Sequence, residues 1–163
     1  MRDRRFIAEH RGGPLARRHH QLLSAWAADC GEHVLPLFLA HATGDDRPRR
    51  AIDTARAWAR GEVRVGVAQK AAVASHAAAR QCIAAGSDPS AVAAARSAGH
   101  AVATAHFADH SLGAAVYALK AVHAAGQDVA AERSWQIERL PAEVSDLVIA
   151  ALQTDRMKRA GPR

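Results

Sequence analysis

Helix start and stop signals recur along this chain and constrain its fold more than any other feature. Asp88-Pro89 is the clearest start, because an aspartate can accept hydrogen bonds from free backbone amides and proline suits the first helical turn. Between such signals, apolar residues recur three or four positions apart, which is the period of one helix face. No stretch alternates in the manner of a strand. The pattern predicts an all-α fold, a compact bundle of about six to seven helices with no sheet.

The limits of the helices follow from the same signals. The first helix is expected to begin at Pro14, with Gly31 and Pro36 breaking or kinking it. Three later helices are expected to stop at glycines, which are Gly61, Gly86 and Gly126. A single helix from residue 89 to residue 125 would be unusually long, so we predict a break at residues 108–110. We expect one helical domain over residues 1–163, with an N-terminal arm at 1–13 and a tail at 160–163.

Composition limits the type of core and the compartment. Apolar residues make up 49% of the chain but aromatic residues only 4%, so alanine-rich helices are expected to approach one another closely. Cys30 and Cys82 are too few for a disulfide framework and are expected to be reduced. The first residues lack the apolar run of a signal peptide, and no segment reaches the roughly 20 apolar residues of a membrane span. We expect a cytoplasmic protein without membrane association.

The formal net charge of +6 would suit an acidic partner if the basic residues shared one surface. The arginines instead lie in small groups near the expected helix ends. A basic nucleic-acid-binding module is therefore one alternative, but it is disfavoured, because the helices are alanine-rich and their charges are dispersed.

Histidine is the enriched residue type with the widest chemical reach. His106 and His110 flank Asp109, and on an unbroken helix the two imidazoles would share a face and could bind one metal. His76 or His100 could complete such a site, with zinc or iron as the metal. One functional hypothesis is accordingly a metal-dependent enzyme with a histidine site inside the helical bundle. In the structural alternative, His106 is a hydrogen-bonded core residue and Asp109 caps the next helix, and no cofactor is expected.

The remaining sequence motifs favour structural roles. Gly61 and Gly66 have the spacing of a phosphate-binding loop, but the lysine and hydroxyl residue that should follow are missing. No catalytic residue is assigned. The tryptophans are expected in the core, and the neighbouring pairs His19-His20 and Glu32-His33 on the surface. Tyr117 is the aromatic residue that could face a groove or a partner.

Four segments carry a resemblance to a known family. They are WAADCGEH at 26–33, RPRRAIDTARAWARG at 47–61, GHAVATAHFADH at 99–110 leading into YALK at 117–120, and Trp135-Gln136 followed by Leu140-Pro141. Together they resemble the bacterial immunity proteins of the immunity-protein-five-like family, over residues 4–152.

The resemblance implies a small all-helical cytoplasmic protein that neutralises a cognate toxin by binding it and occluding its active site. A homo-oligomer is compatible with this role, because small-residue helix faces can pack against copies of themselves. The residues expected to touch the toxin are exposed ones in or near the recognised segments, namely Asp29, Glu32, Arg49, Asp53, Arg56 and Asp109.

Overall fold

A computed structural model of the protein describes residues 3–154, 157 and 160–162. Its seven α-helices are α1 (Arg17–Leu39), α2 (Arg47–Ala59), α3 (Val65–Ala84), α4 (Pro89–Ala103), α5 (His110–Ala124), α6 (Val129–Glu138) and α7 (Ala142–Leu152). Two single turns of 3₁₀ helix, Arg4–Phe6 and Glu9–Arg11, precede them. The described residues form no strand, and one isolated backbone bridge joins Ala8 to Leu15. The all-α prediction is confirmed.

The strongest helix signals are also confirmed. The Asp88 carboxylate accepts a hydrogen bond from the Ser90 amide at the start of α4. At the start of α6, Asp128 accepts from the amides of Ala130 and Ala131. The predicted stops Gly61, Gly86 and Gly126 all follow helix ends with positive φ. These ends depend on local chemistry alone, which is why the sequence predicts them.

One predicted helix break is absent, and another is displaced along the chain. Helix α1 continues through Gly31 and Pro36 to Leu39. Gly31 is buried against α4, where an added Cβ would lie 3.4 Å from the Cα of Ala98, so tertiary packing supports the helix at that point. The break expected at 108–110 begins earlier, because α4 ends at Ala103 and residues 104–109 form turns. His106 therefore lies beyond the helix that was expected to carry it.

Helix α4 is the centre of the bundle and packs against α1, α2, α3 and α5. Its buried residues are mostly alanine, so the neighbouring backbones come close. Buried serine hydroxyls cross three of the helix interfaces and donate to backbone carbonyls at 2.8 to 3.1 Å; the pairs are Ser24 to Ala55, Ser75 to Ala95 and Ser97 to Ala114. Small residues thus give both the close approach and the polar links between helices.

The segment before α1 packs on this bundle. Phe6 and Leu15 are buried, and the Leu15 amide donates to the carbonyl of Ile7. The thiols of Cys30 and Cys82 are buried and unpaired, as expected. Arg156, Lys158 and Arg159, which the sequence places after α7, lie outside the described residues. Of the helices that can be described, none combines the length and apolarity needed to cross a membrane.

Candidate functional site

Four of the six residues expected to contact a partner form one ion-pair network between α1 and α2. The Arg56 guanidinium donates to Asp29 at 2.7 Å and to Glu32 at 2.6 Å. Arg49 reaches the other oxygen of Glu32 at 3.4 Å. The hydrogen bond from Arg56 lowers the pKa of Glu32, and the bond to Glu32 in turn raises the pKa of Arg56. We call Asp29, Glu32, Arg49 and Arg56 the arginine network.

The other two expected residues have different positions. Asp53 is exposed on α2, and its spacing from Arg49 and Arg56 places all three on one side of that helix. Asp109 is the residue before α5, and it lines a separate cavity of about 140 Å³ with Phe6 and His20. Asp53 therefore shares the side of α2 that carries Arg49 and Arg56, whereas Asp109 lies elsewhere.

An aromatic stack lies next to this network, at the following position of α1. The imidazole of His33 is parallel to the Trp135 indole, with ring centroids 3.7 Å apart and planes 4° from parallel. The Arg139 guanidinium lies over Trp135, 4.1 Å from the ring centroid. Trp135 is only half-buried, so the expectation that it is a core anchor was wrong. We call His33, Trp135 and Arg139 the aromatic stack.

A buried carboxylate holds the stack in position. Glu132 on α6 is 4% exposed and accepts a hydrogen bond from Nδ1 of His33 at 2.6 Å. Its second oxygen accepts from the Gln136 amide at 2.8 Å. Burying an anion is costly unless it is paired and hydrogen-bonded, and here both oxygens have donors. The buried Glu132 carboxylate thus fixes the orientation of the His33 ring at the surface.

Hydrogen bonds made by Trp26 and Gln136 join α6 to the core. The indole Nε1 of Trp26 donates to the backbone carbonyl of Gln136 at 2.9 Å, and Trp26 itself is buried, as predicted. The Gln136 side chain also donates to the carbonyl of Ala115 on α5. Three of the four recognised segments, 26–33, 47–61 and 135–136, therefore meet on one face of the molecule. The sequence gives no signal for Glu132, because its role depends on α6 lying across α1 and α5.

The fourth recognised segment forms a histidine cluster with α3. The Nδ1 atoms of His100 and His110 are 3.2 Å apart, and the His76 and His100 rings meet edge to face at 5.3 Å. Burial is the main cause that lowers the pKa of His76. Burial also lowers the pKa of His100 to about 3, and the neighbouring His110, His76 and Arg96 act in the same direction. The imidazoles of His76 and His100 are therefore neutral in the folded protein near neutral pH. We call His76, His100 and His110 the histidine cluster.

Glycines make room for two of these rings. A Cβ at Gly99 would lie 2.7 Å from the His76 ring, and one at Gly113 would lie 2.7 Å from Nδ1 of His100. An isolated glycine inside a helix usually allows two helices to cross closely. Gly99 and Gly113 instead accommodate imidazoles, which fill space between helices that otherwise carry small side chains.

His106 is separate from the cluster. Its Nδ1 contacts the side-chain amide of Gln69 at 3.0 Å and the guanidinium of Arg11 at 3.5 Å. His106 and His110 do not share a helix face, because the chain turns between them. Across the described residues, no three His, Cys, Asp or Glu side chains are placed to hold a metal ion. A zinc site takes three or four protein ligands, whereas the His100–His110 contact brings two ring nitrogens together.

Another histidine expected on the surface is buried. His20 is 2% exposed, and its Nε2 donates to the carbonyl of Thr104 at 2.6 Å. Burial lowers its pKa despite this hydrogen bond. The contact links α1 to the turn after α4, so the ring supports the place where α4 ends.

Carboxylates lie beside several of the basic residues. Besides the arginine network, Arg5 pairs with Asp3, Arg18 with Glu143, Arg47 with Asp45 and Arg60 with Glu62. A carboxylate beside each of these arginines cancels much of its local positive field, so these pairs do not build a basic patch. This distribution further disfavours a nucleic-acid interface.

The fold and this surface define an all-α bundle protein whose polar face is held rigid by interior contacts. Residues 13–143 match the family model described as Imm-5 like putative immunity protein, and the chain belongs to that family. Searches of curated proteins and of solved structures gave no significant match. The family resemblance predicted from the four segments is confirmed.

Proposed function

We propose that this protein binds a cognate protein toxin and neutralises it by covering the toxin's active site. Membership of an immunity-protein family supports the class of function. The contact face is the exposed side of α1 with the adjoining surfaces of α2 and α6. It contains the arginine network and the aromatic stack.

The observation that carries this placement is the aromatic stack. Tryptophan and arginine are the residues most often responsible for binding energy at protein interfaces. Trp135 lies between His33 and Arg139, and His33 is fixed by the buried Glu132. Side chains held in place before binding lose little entropy when the partner docks.

The arginine network supplies charge next to this anchor. Its side chains are paired with one another but remain 27% to 45% exposed, so their outer edges can still contact a partner. Charges of both signs on one face favour a partner with the complementary pattern and repel others. The network therefore suits selection among toxins, and the stack suits affinity.

The test uses a toxin encoded by a gene neighbouring that of this protein. Co-expression should restore growth to cells that carry the toxin, and calorimetry on the purified pair should give a dissociation constant. Replacing Trp135 with Ala should weaken binding by about 30-fold, which corresponds to about 2 kcal/mol. The toxin affinity of Trp135→Phe should lie between those of the wild type and Trp135→Ala. Arg49→Glu should weaken binding and alter its salt dependence.

Arg133→Ala is the matched control, because it removes an exposed arginine from the same helix. Its affinity should equal that of the wild type. Absence of both rescue and binding by the wild type would contradict the proposed function. Rescue together with full affinity in the Trp135→Ala and Arg49→Glu variants would contradict only the placement of the contact face.

A further inference from the structure

A cavity of about 440 Å³ opens between the C-terminal end of α3 and the neighbouring parts of α4 and α5. We call it the α4–α5 pocket. Apolar side chains form much of its wall, including Ile83, Pro89 and Val92. Ile83 is 54% exposed, which is high for a large aliphatic side chain. Sites for small organic ligands typically occupy about 300 to 1,000 Å³ and are mostly apolar with a few placed polar groups.

Two cations that lack a carboxylate partner among the described residues, Arg96 and Lys120, line this pocket. They supply the positive charge that an anionic ligand would need. The guanidinium carbon of Arg96 lies 5.8 Å from the centroid of the Tyr117 ring, and Nζ of Lys120 lies 5.1 Å from it. Within residues 3–154, neither cation forms an ion pair. The ring attracts both cations but does not neutralise them. An anion entering the pocket would meet two uncompensated positive charges.

The wall that carries these cations is fixed from behind. The Tyr117 ring stacks on the His100 imidazole, with centroids 5.1 Å apart and planes 16° from parallel. The His100 ring in turn contacts His110, and it occupies the space that a side chain at Gly113 would fill. A ligand would therefore meet a wall that is already ordered, and little binding energy would be lost in arranging it.

We propose that the α4–α5 pocket binds a small organic anion with an apolar body. The anionic group, a carboxylate or a sulfonate, lies between Arg96 and Lys120. The apolar part lies against Val92 and Ile83, where it removes exposed hydrocarbon from water. This binding is separate from the toxin contact proposed above, since the pocket is formed by α3, α4 and α5.

The probe is 8-anilinonaphthalene-1-sulfonate, an apolar anion whose fluorescence rises in apolar surroundings. Neutral N-phenyl-1-naphthylamine has a similar body without the charge. The sulfonate should bind the native protein at one site. Arg96→Gln and Lys120→Gln should each weaken it by about 5-fold, the effect of one part-exposed charge contact, and the neutral probe should be little affected.

Arg133→Gln is the control, because it removes one exposed positive charge away from the pocket. Its sulfonate affinity should be unchanged. Val92→Phe fills the pocket and should weaken both probes, which keeps the test independent of the charge variants. Octanoate should displace the sulfonate, while acetate, which lacks the apolar body, should not.

Circular dichroism must show each variant folded, since the sulfonate also binds partly unfolded chains. Equal sulfonate affinity in the wild type and in the Arg96→Gln, Lys120→Gln double variant would overturn the proposal. So would failure of octanoate to compete, or no saturable binding to the wild type.

Discussion

Lowering the pH should reduce the free energy of unfolding at pH values where carboxylates are still ionised, and His100 should be a main cause. Burial, with His110, His76 and Arg96 nearby, lowers the pKa of His100 in the folded state to about 3. In the unfolded chain the same group titrates near its ordinary value of about 6.5. As the pH falls below that value, His100 binds a proton in the unfolded state but remains neutral in the folded state. The free energy of unfolding therefore decreases on acidification.

The magnitude follows from proton linkage. Between about pH 7 and about pH 5.5, a group whose pKa falls from about 6.5 to about 3 on folding removes about 1.2 kcal/mol of stability. This figure requires only that the folded pKa lie well below the lower pH. His76 and His20 have pKa values lowered mainly by burial, so they act in the same direction. Carboxylates contribute little in this window because their ordinary pKa values are about 4.

The assay is urea unfolding followed by circular dichroism at several pH values in this window. His100→Gln will change stability at every pH because the ring also packs against Tyr117 and Gly113. The diagnostic quantity is the pH dependence, which should be about 1.2 kcal/mol smaller in the variant than in the wild type. His123→Gln, a substitution of an exposed histidine on α5, is the control and should keep the wild-type dependence. An unchanged dependence in His100→Gln would refute the reasoning.

Three further predictions concern stability and use the same unfolding assay at neutral pH. Gly113→Ala should destabilise by about 1 to 3 kcal/mol, because its Cβ would lie 2.7 Å from the His100 ring, whereas Gly66→Ala, with open space around it, should stabilise by ~0.5 kcal/mol. Ser97→Ala should cost about 1 kcal/mol by removing the hydrogen bond from α4 to α5, and a neutral result would mean that this bond is not stabilising. Asp128→Ala should cost about 1 kcal/mol through loss of the cap on α6, while an equal loss in Asp146→Ala, away from any cap, would argue against that cause.

The fold was largely predictable because its signals are local. Aspartate caps and glycine stops act on the backbone within a few residues, so α4 begins at the predicted Asp88-Pro89 and three helices end just before the predicted glycines. The errors lie where distant contacts decide. Gly31 is a helix breaker by propensity, but contact with Ala98 holds it in α1. The turn after α4 receives the buried ring of His20, and no local pattern predicts that contact.

The candidate site was predictable in part for the same reason. The recognised segments contain Asp29, Glu32, Arg49 and Arg56, and the structure joins these four in one network. The sequence could not show that they pair with one another. Glu132 gave no signal at all, since a glutamate in a polar helix resembles any solvated residue until α6 is placed over α1.

The richness in histidine has a physical explanation in the core. Helices lined with alanine leave gaps wherever two of them diverge, and large aliphatic side chains are few on α4. Imidazoles fill such gaps above Gly99 and Gly113, at the expense of stability in acid. This use of histidine needs no metal.

The two proposed binding regions should act independently, because they lie on different helices around α4. Trp135→Ala on α6 should leave the sulfonate affinity of the α4–α5 pocket unchanged, and Lys120→Gln should leave toxin affinity unchanged. Substitutions at sites that share no contacts are usually additive. The double variant should therefore show the toxin affinity of one single variant and the sulfonate affinity of the other. Loss of toxin binding when octanoate occupies the pocket would instead show that the two regions are coupled through α5, which carries Lys120 and also receives the Gln136 side chain at Ala115.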